Sequence, residues 1–303
     1  MPIDHNKEHE PMHTKKKFGR VQGINIYEQL NSIKVNIIDA PSIEQLRKAI
    51  SVFMMNTWND KLRTKFDDED IDKCIVDLFA GNILPTGMEI IGLVFSIEGM
   101  NLVDTTHLIR HRLFSFSAQT HADRDMRDDN VMMPASIMAN ENYYERALRL
   151  AYDASNLYAD MMDTNSVNCL DARLVMPRFF EHFYVTRCCL KDAIGFCIMR
   201  GDEQIQTHAD NIIAMKLWLE ISKLYPFLAH LVDFRAEDKY YVGQCKKGKT
   251  SLFPPNKKND VFDYATTQFY HFQHRDEYDG ANIYLKLRDQ LLSEIDDIIS
   301  SQS

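Results

Sequence analysis

Hydrophobic and polar positions divide the chain into segments of different period. Val35 and Ile37 alternate with Lys34 and Asn36, a two-residue period that predicts a strand over 33–38. Pro41, Ser42 and Gln45 then form a capping-box start. Ile43, Leu46, Ile50, Phe53 and Met54 recur at helical spacing, predicting one amphipathic helix that ends near Trp58. The run EIIGLVFSI from Glu89 to Ile97 is short, β-rich and almost continuously apolar, the pattern of a strand covered on both faces. Leu102, Ile109 and Leu113 lie on one helical stripe, predicting a helix over 101–113. A longer helix is predicted from Glu141 to Met162, with Tyr144, Leu148, Ala151 and Tyr158 facing inward. Phe179 to Thr186 reads as extended. Leu190, Ile194, Cys197 and Ile198 read as helical with Gly201 as the stop, and Ile205 to Leu224 as a further helix broken at Pro226.

The two ends differ from this middle. Residues 1–24 are polar and His-rich, with Lys15, Lys16, Lys17 and Arg20, and read as an arm without apolar periodicity. Residues 233–303 hold a basic loop, with Lys246, Lys247, Lys249, Lys257 and Lys258 around Pro254 and Pro255. An acidic amphipathic helix follows from Tyr284 to Ile299. The expected organisation is therefore an arm (1–24), a catalytic domain (25–232) and a C-terminal extension (233–303), with no internal repeat.

Composition narrows the function classes. Of 303 residues, 45% are apolar and 11% aromatic, enough for a buried core. With 35 Lys plus Arg against 44 Asp plus Glu, the net charge of −9 repels polyanions, so binding to a nucleic-acid polymer or an anionic membrane is not expected and any phosphate site must be local. No apolar run approaches the roughly 18 residues of a membrane span, and the expectation is a soluble, cytoplasmic protein. Six Cys show no CxxC pair, which argues against a zinc knuckle or a disulfide framework and for reduced thiols. Met132, Met133, Met161 and Met162 read as packing residues.

The most unusual stretch is Arg110-His111-Arg112, followed by Ser115, Gln119 and Thr120 and then by the charge-dense His121 to Asp129. Two guanidinium forks around one His suit bidentate gripping of phosphate or carboxylate. Alternatively, the triplet is a solvated charged turn. Asp104, His107 and His111 at i, i+3 and i+7 have the layout of a metal half-site, but the flanking Arg110 and Arg112 disfavour a divalent cation there. The acidic run 123–129 lacks the Gly and terminal Glu of a calcium loop.

The order of these residues resembles the flavin-dependent thymidylate synthase (ThyX) family. That family carries RHR, seven residues and a Ser; here Leu113 to Gln119 fill the gap and Thr120 stands at the Ser place. Ala172-Arg173-Leu174-Val175-Met176-Pro177 is similar to the family's ARxVLP element. Arg200-Gly201-Asp202 follows at its spacing, with Gln206 at the place of its HAQ glutamine. The resemblance covers roughly residues 80–230. It implies an α+β fold, a small, mostly antiparallel sheet with long packed helices, and a homotetramer with active sites shared between subunits. The implied reaction is one-carbon transfer from methylenetetrahydrofolate to a deoxyuridine nucleotide, with FAD and NADPH carrying the reduction. By the same resemblance, Arg110, His111 and Arg112 hold the flavin dinucleotide and Cys189 contacts it. Arg173 and Lys191 hold and polarise the pyrimidine nucleotide, with His107, Gln119, Thr120 and Arg124 as further substrate contacts.

Several departures bear on specificity. The family's His-rich cluster before the second strand is reduced to Glu89, and the Arg expected just after the Ser place has no counterpart in register, leaving Arg124 or Arg127 among Asp123, Asp125, Asp128 and Asp129. His107 replaces a Gln, Cys189 an Asn, and Lys191 an Arg, exchanging a fork for a point donor. Two rivals follow: a diverged relative acting on another pyrimidine nucleotide or releasing a hydroxymethyl product, and a catalytically inactive binding protein on the same scaffold.

Overall fold

The computed structural model describes residues 30–118, 126, 130–138, 140–202, 207–235 and 281–302. The predicted arm, the basic loop, and Gln119, Thr120, His121, Arg124, Arg127 and Gln206 lie outside them.

The described chain is an α+β fold built on one antiparallel sheet. Strands β1 (Lys34–Asp39), β2 (Gly92–Met100), β3 (Ser115–Ala118) and β4 (His182–Cys189) are arranged in the order β1-β2-β4-β3. Between them run α1 (Ile43–Met55), α2 (Asp68–Phe79), α3 (Leu102–Leu108), the single turn α4 (Ala135–Met138), the long α5 (Glu141–Asp163) and α6 (Cys169–Ala172). After β4 come α7 (Leu190–Arg200), α8 (His208–Leu224) and α9 (Ala281–Ser300). No helix among the described residues is long and apolar enough to cross a membrane.

Sheet register sets the core. Opposite Cys188 and Thr186 on β4 stand Leu93 and Phe95 on β2, and all four are buried on the helix-covered face. The other face is only partly covered: Val94 and Ser96 are half-exposed, and Phe183 and Arg187 exposed. The expectation that β2 is covered on both faces is thus corrected to one full face and one partial one, and the strand begins at Gly92 rather than Glu89. Helix α8 lies deepest. Ile212, Ile213, Ala214, Met215, Leu217, Trp218, Leu219 and Ile221 are all buried, so it is apolar nearly all round, as a helix enclosed on every side must be. It packs against β1, α7 and α9. Two smaller clusters sit beside α5, one around Val131, Met133, Leu148 and Phe180, the other around Met126, Tyr158 and Ala172.

Local signals placed several boundaries. Ser42 and Gln45 form the expected reciprocal cap, with Gln45 N donating to Ser42 Oγ at 3.2 Å and Ser42 N to Gln45 Oε1 at 2.8 Å. The helix they open is regular to Met55 and ends in a 3-10 turn through Trp58. Two expectations fail. The 101–113 helix stops at Leu108, and Ile109 and Leu113 are exposed, because the chain turns sharply to enter β3; Leu108, not that stripe, is its buried apolar contact. The extended segment begins at His182 rather than Phe179 and runs on to Cys189, since Phe179 and Phe180 turn to meet Val131.

Gly99 sits at the irregularity in the β2–β4 pairing between Ile97 and Met100, at φ +77°, where a Cβ would come within 2.9 Å of Ser32 O. Left-handed backbone beside a rigid carbonyl admits no larger residue without strain. Gly99→Ala is expected to lower unfolding free energy by about 1–3 kcal/mol, measured by urea denaturation at constant m.

Candidate functional site

The RHR triplet lies in the turn between α3 and β3, and its shape is fixed at both ends. Asn101 caps α3, accepting from Val103 N at 2.8 Å and Asp104 N at 3.1 Å. After Leu108 the chain closes successive tight turns: Arg110 N donates to His107 O, His111 N to Leu108 O, and Phe114 N to His111 O. The curl separates the three residues. His111 points inward, its ring 4.8 Å from Phe196 and 5.5 Å from Phe114 by centroid, whereas Arg110 and Arg112 are exposed. Among the described residues neither arginine forms an ion pair.

The inward side of this turn is held by a residue of the Arg200-Gly201-Asp202 element to which the sequence assigns no role. Arg200, the buried last residue of α7, donates from Nε to His111 Nε2 at 2.9 Å and from Nη2 to His107 O at 2.6 Å. Its Nη1 lies 3.8 Å from Asp210 Oδ2. Because His111 Nε2 accepts, the ring proton belongs on Nδ1. Burial, reinforced by the Arg200 charge, pushes the His111 pKa down to about 4, so the imidazole is neutral at physiological pH.

Asp210, in the first turn of α8, is fully buried. Its Oδ2 accepts from His107 Nδ1 at 2.8 Å, its backbone N donates to the cap Thr207 at 3.1 Å, and its Oδ1 has no partner among the described residues. Asp104 lies nearby with Thr207 Oγ1 at 3.4 Å, and its pKa is raised to about 7, chiefly by burial and next by the Asp210 carboxylate. The three side chains that sequence spacing placed on one helical face thus face three different partners: Asp104 the α3 cap and Thr207, His107 Asp210, and His111 Arg200. No cluster of three or more metal-type ligands occurs among the described residues.

The remaining candidates lie elsewhere. β4 runs straight into α7, with Cys189 as the cap residue and Lys191 in the first turn. Lys191 Nζ is 2.5 Å from Glu89 Oε1, so this cation already has a counter-charge. Cys189 Sγ donates to Asp192 Oδ2 at 2.9 Å, and burial together with that carboxylate raises its pKa to about 11, which makes it a neutral thiol rather than a nucleophile. Nine residues of helix separate Lys191 from Arg200, about 14 Å along the axis, so the two ends of α7 serve different places. Arg173 opens a 3-10 turn after α6, half-buried, with Nε donating to Leu170 O at 2.9 Å. No described hydrogen bond joins it to the RHR turn within one chain.

Comparison with known proteins identifies the family. Residues 43–227 match the family described as Thymidylate synthase complementing protein. The chain belongs to this family, that of the flavin-dependent thymidylate synthases. It is similar to the flavin-dependent thymidylate synthase of Pyrococcus abyssi, 25% identical over 60% of this chain and 75% of that protein. Its counterpart in Thermococcus onnurineus is 25% identical over 64% of this chain and 80% of that one. The crystal structure of a UMP/dUMP methylase, PolB from Streptomyces cacaoi bound with 5-Br dUMP, shares the fold at a TM-score of 0.50. It is 17% identical and covers 63% of this chain and 91% of that one.

Gln206, which the resemblance sets at the place of the HAQ glutamine, lies outside the described residues. Asp210 had only its place three residues after the cap Thr207 as a signal. Arg200 was legible as a helix end before Gly201 and by its match to the family's spacing, and neither says what its side chain meets. His208 is buried and stacks on Tyr284.

The two perturbed groups make opposite contributions to pH dependence. His111, lowered from 6.5, withdraws stability as pH falls through that value towards 4. Asp104, raised from 3.8, contributes stability at low pH that is lost as pH rises towards 7. Asp104→Asn removes only the second effect. Urea unfolding at pH 5 and pH 8 is expected to show the variant gaining stability relative to wild type at the higher pH, with the difference level above about pH 7.

Proposed function

We propose that this protein transfers a one-carbon unit from methylenetetrahydrofolate to deoxyuridine monophosphate, forming thymidylate with FAD as redox cofactor and NADPH as reductant. The observation that carries this reading is the RHR turn. It is fastened from inside by Arg200 and presents two outward guanidinium groups with no acidic partner among the described residues. Such a pair fits a dinucleotide's phosphates, because the forks are charged, exposed and held at fixed spacing by a braced backbone. When bound, the flavin supplies the reduction that completes the methyl group.

In this reading Arg110 and Arg112 bind the cofactor's phosphates, and His111 holds the turn rather than the charge. Cys189 offers a thiol to the flavin. Arg173 holds the nucleotide, and Lys191 exchanges Glu89 for a pyrimidine oxygen, stabilising the negative charge that develops on the base. His107, Gln119, Thr120 and Arg124 complete the nucleotide contacts. The homotetramer has support in α5, whose outer face repeats Tyr143, Leu150 and Leu157 at seven-residue spacing, all exposed. Assembly through several subunits also accounts for two arginine sites with no described bond between them in one chain.

A second reading, action on another pyrimidine nucleotide or release of a hydroxymethyl product, is favoured by two particulars. Lys191 is engaged by Glu89, and His107, which replaces a family Gln, is bound to the Asp210 carboxylate. Mass spectrometry of products from reduced flavin, methylenetetrahydrofolate and a panel of pyrimidine monophosphates separates the readings. Methylated deoxyuridylate is expected; a hydroxymethylated base or turnover of a cytosine nucleotide alone supports the second. Protein without flavin absorbance after soaking with FAD is an inactive scaffold.

The roles divide between the arginines. Arg112→Ala is expected to weaken FAD binding about 10- to 100-fold with little effect on nucleotide affinity, and Arg173→Ala to do the reverse. Equal losses of both ligands in both variants, measured by calorimetric titration, would refute the assignment.

A further inference from the structure

The family match ends at residue 227, yet the terminal helix α9 reaches the inner side of the site. Tyr284 is buried, its ring stacked on His208 with centroids 3.8 Å apart and planes 1° from parallel. Its hydroxyl donates to Asn211 Oδ1 at 3.3 Å, and Asn211 Nδ2 donates to Arg200 O at 2.7 Å. Arg200 then grips His111 Nε2 and His107 O. We propose that α9 is part of the site's scaffold, and that Tyr284 is a positioning residue for the RHR turn, acting through Asn211 and Arg200.

Each link has a reason to be stiff. The last carbonyls of a helix lack partners within it, and Asn211 caps the one at the end of α7. An amide held at one end only is free to rotate; held by Tyr284 at its oxygen, its NH2 must face Arg200 O. Asn211 is completely buried, so no solvent competes for either bond. Fixing the Arg200 backbone fixes the root of the guanidinium whose fork sets the inner edge of the turn. Arg110 and Arg112 are then carried by a backbone with one conformation, and a binding group that need not be ordered on association binds more tightly.

The inference rests on the reading that the RHR turn holds FAD, so the test includes a readout that needs no ligand. In the chain labelled with 15N-histidine, His111 titration responds to the Arg200 contact as well as to burial. The charged groups acting on that ring are Arg200 on α7 and Asp210 on α8, with Phe114 and Phe196 as apolar walls and with Arg110 acting on Arg200. Wild type is expected to titrate near 4. Tyr284→Phe, which keeps the stacked ring and removes one hydroxyl, is expected to raise the midpoint towards the ordinary histidine range and to weaken FAD binding about three- to fivefold. Asn211→Ala removes both links and is expected to move the midpoint further the same way.

Ile295→Val, a packing change on α9 away from these residues, serves as the control: it lowers thermal stability while leaving His111 titration and FAD affinity at wild-type values. An unchanged His111 midpoint in both Tyr284→Phe and Asn211→Ala overturns the relay, whatever FAD does. A shifted midpoint in protein whose wild type takes up no FAD overturns the flavin reading and leaves the relay standing. Equal shifts in Ile295→Val would reduce Tyr284 to a packing role and also overturn the proposal.

Discussion

A buried guanidinium is the constraint around which the site is arranged. Arg200 is nearly inaccessible to solvent, and a charge so placed is tolerated only where hydrogen-bond acceptors and a counter-charge replace its water. The chain supplies an imidazole nitrogen, a backbone carbonyl and a carboxylate from α3, its following turn and α8. Meeting that demand orders all three elements at once. It also bears on protonation: the cation beside His111 adds to burial in keeping the ring neutral, while burial and next the Asp210 carboxylate raise Asp104 to about 7.

The same arrangement explains why one motif residue faces in and two face out. The tight turns after Leu108 rotate successive side chains away from each other, and the aromatic wall of Phe114 and Phe196 packs against the neutral imidazole of His111. An RHR triplet on a continued helix would have placed its residues at 100° intervals without such a division. The helix stops at Leu108, and that stop leaves an edge with two outward guanidinium groups in an otherwise ordinary charged segment. Sheet connectivity reinforces the separation of roles: β4 passes directly into α7, so the thiol and lysine lie at the sheet end and Arg200 at the other.

Legibility in the sequence followed the range of the interactions concerned. The Ser42–Gln45 box, the α5 stripe with Leu148, Ala151 and Tyr158 buried, and the Gly201 stop are set by neighbours within a few residues, and each was readable. Helix α2 was passed over although Asp67 caps it and Cys74, Ile75, Leu78 and Phe79 are buried, because its acidic first turn hides a short apolar stripe. The family motifs located the RHR turn and Arg173 by order alone. The Arg200–His111 bond spans 89 residues and the His107–Asp210 bond 103, and no periodicity or cap at either end announces such a pair. Sequence therefore picked out the outward arginines of the turn and not the contacts that brace it.

The family-matched span could not bury α8 unaided. Between them, β1 and α7 cover part of that helix, and the face bearing His208 and Asn211 meets α9. Tyr284, Leu287, Leu291, Leu292 and Ile295 are buried at spacings of three, four, one and three, a single stripe laid on the main core. Removing such a cover would expose several large apolar side chains, each worth about 1.5–3 kcal/mol when fully buried, together with an asparagine whose amide is committed to Arg200. Stability and site geometry thus share one contact surface. A terminal helix that begins as thermodynamic cover for α8 necessarily touches the elements that hold the arginine, so the extension acquires influence over the turn through packing that the core requires in any case.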